Sequence, residues 1–200
     1  MPLTKRDPEN KEHFVILGGG PAGLNCAETL RQSGFSGQIT VVSKEKAVPY
    51  DRTLLSKALA NGDSSKWSLR PKEFLNDADI DFNAGPNKRV YNVVPDKKQV
   101  ILVDGEHIQY DKLLIATGSD IWVPPVKGLE MSRGKFKTKN VYPLRTDEHQ
   151  TQIKKAIEAG ARKVVIIGAS FIGSECAASL KMQFKDQIDI TMVNGDACPF

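Results

Sequence analysis

Cysteine is scarce: the 200-residue chain has three. Cys26, Cys176 and Cys198 form no C-x-x-C pair and no metal-ligand spacing, so neither a disulfide scaffold nor a metal site is expected. Cys26 and Cys176 fall in stretches of helical periodicity, where small apolar residues are wanted. That usage suits an intracellular, reducing compartment, cytoplasmic or mitochondrial. Long apolar runs are missing as well, and none approaches the ~20 residues of a membrane-crossing helix. The first twelve residues mix acids with bases and lack both an apolar stretch and an Arg-rich amphipathic pattern, so they read as a disordered tail and not as a targeting segment. Charge of one sign is not concentrated either. Lys and Arg total 28 against 24 Asp and Glu, a formal net charge of +4 without clusters, which argues against nucleic acid or an anionic membrane as partner. What is left is an ordinary globular balance, 40% hydrophobic and 26% charged, in a length suited to one large or two small domains.

Glycine is where the information lies. In Phe14-Val-Ile-Leu-Gly-Gly-Gly-Pro-Ala-Gly-Leu-Asn-Cys-Ala27 an apolar run meets a glycine turn that opens directly into a helical pattern. The expected order is strand, phosphate loop, helix. Gly18 permits the tight turn, Gly20 lets backbone approach a pyrophosphate, and Gly23 lets the helix pack closely on the strand. The intervening Pro21 and Ala22 open the helix, whose first-turn amides would face an anion. A β-rich run, Gln38 to Glu45, follows the helix of Pro21 to Ser33, and Glu45 falls where an acid should take the ribose hydroxyls of a bound dinucleotide.

Further along, Val48-Pro-Tyr-Asp-Arg-Thr-Leu-Leu-Ser-Lys57 starts as a Pro turn and becomes a short helix through Leu59. It places Arg52 and Lys57 near the carboxyl end of the expected sheet, in reach of phosphates or a flavin. Trp67, Leu69, Phe74 and Leu75 suggest a packed helical connection. From Ile80 to Tyr110 the period becomes alternating, with breaks at Gly85-Pro86, Pro95-Asp96 and Asp104-Gly105. This reads as an antiparallel meander that begins at Ile80 to Phe82. His107 alternates with apolar neighbours as an exposed strand residue would. Asp111-Lys-Leu-Leu-Ile-Ala-Thr-Gly118 then reads as a buried strand ending in a glycine turn.

From Thr146 a helix runs to about Gly160, and Lys163-Val-Val-Ile-Ile-Gly168 starts the strand, loop, helix arrangement a second time. Its loop is Gly168-Ala-Ser-Phe-Ile-Gly173, with Ser170 where the first loop has its middle glycine. A helix from Phe171 to Phe184 and a strand from Ile188 to Val193 follow. Asn194 stands at the acid position, with Asp196 two residues on. An Asn can bond a ribose hydroxyl without repelling a 2′-phosphate, yet no arginine welcomes that phosphate, so NAD is slightly favoured over NADP.

These residues resemble the flavoprotein reductases with two dinucleotide-binding domains. Pro49-Tyr-Asp-Arg-Thr-Leu-Leu-Ser-Lys57, Leu114-Ile-Ala-Thr-Gly118 and Gly168-Ala-Ser-Phe-Ile-Gly-Ser-Glu175 are similar to the apoptosis-inducing-factor-like, ferredoxin-reductase-type branch, Rieske-associated member included. The resemblance implies an α/β fold of two Rossmann-like units with an antiparallel β-meander between them, the second unit incomplete. It implies FAD on the first unit, with contacts at Gly18, Gly20, Gly23, Glu45, Arg52, Lys57, the backbone of Val90, Ala116, Thr117, Gly118 and Arg145. It implies a nicotinamide nucleotide, NAD(P)H, on the second, at Gly168, Gly173 and Glu175, beside the Ser170 and Asn194 already read from the residues. Lys57 and Glu175 would form an ion pair beside the flavin ring, the catalytic assignment. No redox cysteine pair occurs in Pro49 to Lys57, so an external iron-sulfur or ferredoxin-type acceptor is implied.

Two departures accompany the resemblance. Lys44 stands where several relatives place the ribose acid, which moves that role to Glu45. Family members also continue for about as many residues again. The expected organisation is a tail over 1–12, an FAD-binding domain over 13–140 and the start of an NAD(P)-binding domain over 141–200. Two functions are compatible with it: the amino-terminal part of an FAD-dependent NAD(P)H oxidoreductase, or a truncated, inactive subunit with a structural role, its incomplete second domain covered by a protein neighbour.

Overall fold

The computed structural model describes residues 2–71, 73–132 and 135–195; Asp196 and Cys198 lie outside the described residues. In chain order the elements are β1 (His13–Leu17), α1 (Pro21–Gln32), β2 (Gln38–Ser43), α2 (Leu54–Lys57), α3 (Phe74–Asp77), β3 (Ile80–Ala84), β4 (Val90–Val94), β5 (Gln99–Leu102), β6 (His107–Gln109), β7 (Lys112–Ile115), β8 (Met131–Ser132), β9 (Lys135–Phe136), α4 (Asp147–Glu158), β10 (Lys163–Ile167), α5 (Phe171–Phe184) and β11 (Asp189–Val193). Compactness divides the chain into two units, 1–50 with 68–119 and 51–67 with 120–200. This division departs from the sequence expectation, which put the boundary after 140 and left 51–67 with the first unit.

The first unit is built on a four-stranded parallel sheet in the order β3-β2-β1-β7. Its strands β1 and β2 read as near-continuous apolar runs because both faces are covered. One face packs Ile16, Ile39, Val41 and Ile80 against Leu24 and Ala27 of α1 and Leu75 of α3. The other packs Val15, Leu17 and Val42 against Val100, Leu102 and Ile108 of a three-stranded antiparallel sheet, β4-β5-β6. Gly105, at φ 89, makes the β5–β6 hairpin, and Pro95 opens the turn before β5.

Three sequence expectations are corrected here, the first being the disordered tail: Leu3 packs on the first core, and the Thr4 and Asp7 amides donate to Arg31 O at 2.9 Å and Ser36 O at 2.8 Å. Residues 80–82 do not start the meander; β3 pairs in parallel with β2 in the register Ile39↔Ile80 to Ser43↔Ala84. An edge strand with one open flank alternates just as an antiparallel strand does, so period alone could not separate the two. Strand β7 is also not buried, since it closes the other edge of the sheet and leaves Ile115 66% exposed.

The loops of this unit are tied by a buried guanidinium. Arg31 is fully buried at the end of α1 and donates to the carbonyls of Ala78 and Asp79 after α3 and of Phe35 and Gly37 before β2. Four carbonyl dipoles take the place of water around the charge. At the amino end of β1, His13 Nε2 lies 2.8 Å from Thr40 Oγ1.

In the second unit β10 and β11 pair in parallel, and Leu180 and Cys176 of α5, Ile157 of α4, Ile188 and Leu59 form the core. Thr146 caps α4 by accepting from the His149 amide, and Gly160 at φ 107 follows its end. On the opposite face of this sheet Val165, Ile167 and Val193 are exposed.

Candidate functional site

At the carboxyl edge of the first sheet, β1 turns into α1 through Gly18, Gly19 and Gly20. Gly18, at φ 122, donates its amide to Val42 O at 2.8 Å; a Cβ there would lie 2.1 Å from Ala116 O. A Cβ on Gly19 would lie 2.7 Å from Ser43 Cβ, and one on Gly23 would lie 2.0 Å from Gly18 O. Those three glycines are required by protein packing. Gly20 is different: a Cβ there meets nothing within 4 Å, and its backbone, φ −92 and ψ −172, is ordinary extended conformation. No part of the described protein explains a glycine at this position.

What the position can serve is set by its surroundings. Gly20 is the N-cap of α1, Pro21 is the first helical residue, and the ladder of helix bonds starts with Leu24 N to Gly20 O. The Ala22 and Gly23 amides therefore precede the ladder and present N–H groups at the positive end of the helix. Since β1 connects to β2 on one side and has β7 on the other, the loop sits at the point where the strand order reverses, the place where open α/β sheets take their ligands. Open space, unladdered amides and a helix N-terminus together fit a dinucleotide's diphosphate.

Other predicted residues of the first unit gather at the same sheet edge. Ala116, Thr117 and Gly118 continue from β7 beside Gly18, with Gly118 at φ 68. Glu45 follows β2. Its carboxylate accepts from Tyr50 Oη at 2.7 Å, and its amide donates to Ser43 Oγ at 3.2 Å. Tyr50, 4% exposed, is a partner that sequence reasoning missed; nothing in its spacing marks it. Lys44 is exposed. Val90 heads β4 and is half-buried against the Val100 and Leu102 cluster.

The second unit repeats the loop in detail. Gly168, φ 104, donates to Val193 O at 2.8 Å, and a Cβ on Gly173 would lie 1.9 Å from Gly168 O and 3.3 Å from Ile166 Cγ2, against 2.0 Å and 3.2 Å for the equivalent atoms of the first loop. Ser170 takes Gly20's place as N-cap, exposed and making no capping bond with its hydroxyl. Asn194 directly follows β11.

Arg52, Lys57, Arg145 and Glu175 also belong to the second unit. Arg52 Nη1 donates to the Arg145 carbonyl. Glu175 is held chiefly by a residue the sequence did not single out: buried Ser56 donates from Oγ to Glu175 Oε2 at 2.5 Å, whereas Lys57 Nζ is 4.0 Å from Oε1 with its side chain 52% exposed. A charge-assisted hydroxyl bond of that length outweighs an open ion pair at the limit of contact. Next to Glu175, burial and then the neighbouring carboxylate push the Cys176 thiol up to about 12. Burial also raises the Cys26 thiol. Neither is a reactive thiolate.

Two matched strand-loop-helix-strand stretches, the first with open space at Gly20, define a dinucleotide-binding α/β protein. The chain belongs to the pyridine nucleotide-disulphide oxidoreductase family, whose model matches residues 12–196. Proteins of this family use FAD and NAD(P)H. The chain is 38% identical to rhodocoxin reductase of Rhodococcus erythropolis over 182 residues, 90% of this chain and 40% of that protein. It is 39% identical to apoptosis-inducing factor 3 of Homo sapiens over 168 residues, 84% of this chain and 26% of that protein. Among solved structures, the covalent putidaredoxin reductase–putidaredoxin complex aligns with a TM-score of 0.80 at 31% identity, covering 96% of this chain and 44% of that one. The chain thus spans less than half the length of the relatives it matches. Among the described residues no helix is long and apolar enough to cross a membrane, and no cluster of three His, Cys, Asp or Glu could hold a metal.

Proposed function

We propose that this chain is the amino-terminal portion of an FAD-dependent NAD(P)H oxidoreductase that passes electrons to an iron-sulfur or ferredoxin-type acceptor. The observation that carries this reading is Gly20, the one glycine of its loop that packing leaves unexplained. In this reading the FAD-binding domain is built on the first unit, with Gly18, Gly20, Pro21, Ala22 and Gly23 around the diphosphate, Glu45 at the ribose, and Val90 with Ala116 to Gly118 as further backbone contacts. Arg52 and Arg145 add flavin contacts. The second unit starts the NAD(P)-binding domain, with Gly168, Ser170 and Gly173 at its diphosphate and Asn194 at the ribose, NAD slightly favoured. The bound cofactors supply hydride and single-electron chemistry. Lys57 and Glu175 fix charge beside the flavin, and the acceptor is external because Pro49 to Lys57 holds no cysteine pair.

The test is titration of ligand-free protein with FAD, followed by flavin fluorescence and competed by AMP. One saturable equivalent supports the reading; no saturable binding up to about 1 mM, the weak end of specific affinities, overturns it. A second reading, a structural subunit without cofactor, is favoured by the exposed Val165, Ile167 and Val193. It expects a colourless chain that copurifies with a protein neighbour.

A further inference from the structure

Ser56 and Lys57 end a helix of only four residues. A helix that short does not hold itself in water; a 3-10 turn, Leu59–Asn61, follows it, and the Asn61 amide donates to the Ala58 carbonyl at 3.1 Å. A side chain 95 residues from Leu55 and 92 from Ala58 adds the remaining support. Gln150, on α4 and 1% exposed, donates from Nε2 to Leu55 O at 3.2 Å and to Ala58 O at 3.3 Å, the carbonyls on either side of Ser56 and Lys57. A carboxamide nitrogen carries two protons, so this turn takes both. Gly62 lies against the same group: a Cβ there would be 2.3 Å from Gln150 Cδ and 2.6 Å from Nε2, although φ −52 and ψ 119 suit any residue. The absence of a side chain at 62 leaves the carboxamide its place.

We infer that Gln150 is a positioning residue for the proposed flavin-side pair. By fixing the Leu55–Ala58 turn it aims the Ser56 hydroxyl at Glu175 and holds Lys57 beside it. The inference rests on the proposed function for its purpose, but the positioning is a property of the ligand-free chain.

The experiment therefore uses ligand-free, isotopically labelled protein. A hydroxyl proton in a 2.5 Å bond to a carboxylate gives a downfield, slowly exchanging resonance, assigned by its loss in Ser56→Ala. Gln150→Met keeps the length of the stem and removes both donors. Its expected result is loss of that resonance and at least about tenfold faster amide exchange over 54–58, with α5 and β10 unchanged. Gly62→Ala, which leaves Gln150 present but displaces its carboxamide, is expected to do the same and carries the test alone if Gln150→Met does not fold. A role in stability alone would lower the unfolding midpoint and leave the native-state resonance in place. Persistence of the resonance in a folded variant, or its absence from the parent protein, overturns the inference. Failure of FAD titration overturns the proposed function and leaves this result standing.

Discussion

Replacing Gly20 by Val separates what the loop does for the fold from what it does for a ligand. A side chain at 20 meets nothing within 4 Å, and φ −92, ψ −172 is a region valine favours. Valine is a poorer N-cap than glycine by up to about 1 kcal/mol. The stiffer unfolded chain offsets about 0.4–1 kcal/mol of that. Net stability is then nearly unchanged, and Tm should move by no more than about 2–4 °C. For a diphosphate the result is different. The branched side chain occupies the space in front of the Ala22 and Gly23 amides, and losing two charge-assisted bonds of about 1.5–3 kcal/mol each costs about 3–6 kcal/mol. Affinity for FAD should fall by roughly 10²- to 10⁴-fold. Gly23→Ala is the opposite control. Its Cβ would sit 2.0 Å from Gly18 O, a backbone atom with no freedom to move aside. The cost should reach about 3 kcal/mol or more, lowering Tm by roughly 6–12 °C. Equilibrium dialysis with FAD and thermal unfolding of both variants decide the matter. A folded Gly20→Val protein with undiminished FAD affinity, or one that fails to fold, would refute the reasoning.

Arg31→Met strands four carbonyls that the guanidinium satisfies, each costing about 1–3 kcal/mol if left without a donor, so it should destabilise by several kcal/mol, read from urea unfolding; a loss under about 1 kcal/mol, the ordinary median for a point change, would contradict it. Burial holds the His13 imidazole below its ordinary value of 6.5. The unfolded chain then takes up the proton first, so the contribution of His13 is complete above about pH 6.5 and is lost as pH falls through the folded value. The drop in urea midpoint from pH 7.5 to 5.5 should accordingly be larger in the parent protein than in His13→Gln, and equal drops would refute the assignment. Cys176, pushed up to about 12 by burial, should not react with a thiol reagent at pH 8 until the chain unfolds. Comparison with Cys176→Ala assigns the signal, and fast labelling of the native protein would contradict the burial.

Helices α1, α4 and α5 were legible because each carries its own punctuation: Pro21 after a glycine, Thr146 before an acidic first turn, Phe171 after the second loop. The apolar runs of β1 and β2 mark them as strands, while the cover on both of their faces is visible only in the fold. Strand β3 was assigned to the wrong partner because alternation reports burial and not strand direction. The two glycine loops could be found from spacing alone, and so could the separate tasks of Gly18 and Gly23, since both concern backbone. The partners of the acids could not. Tyr50, Ser56 and Gln150 act through contacts that join distant turns, and no local period encodes them. Grouping 51–67 with the second unit was illegible for the same reason: its anchors, Gln150 and Glu175, come about a hundred residues later.

The near-identical approach of Gly23 to Gly18 O and of Gly173 to Gly168 O sets the distance between strand and helix by main chain alone. A frame fixed in that way is insensitive to drift in the side chains around it. The third loop position, Gly20 in one unit and Ser170 in the other, can then differ without moving the frame, so two loops with the same mechanics present different rims.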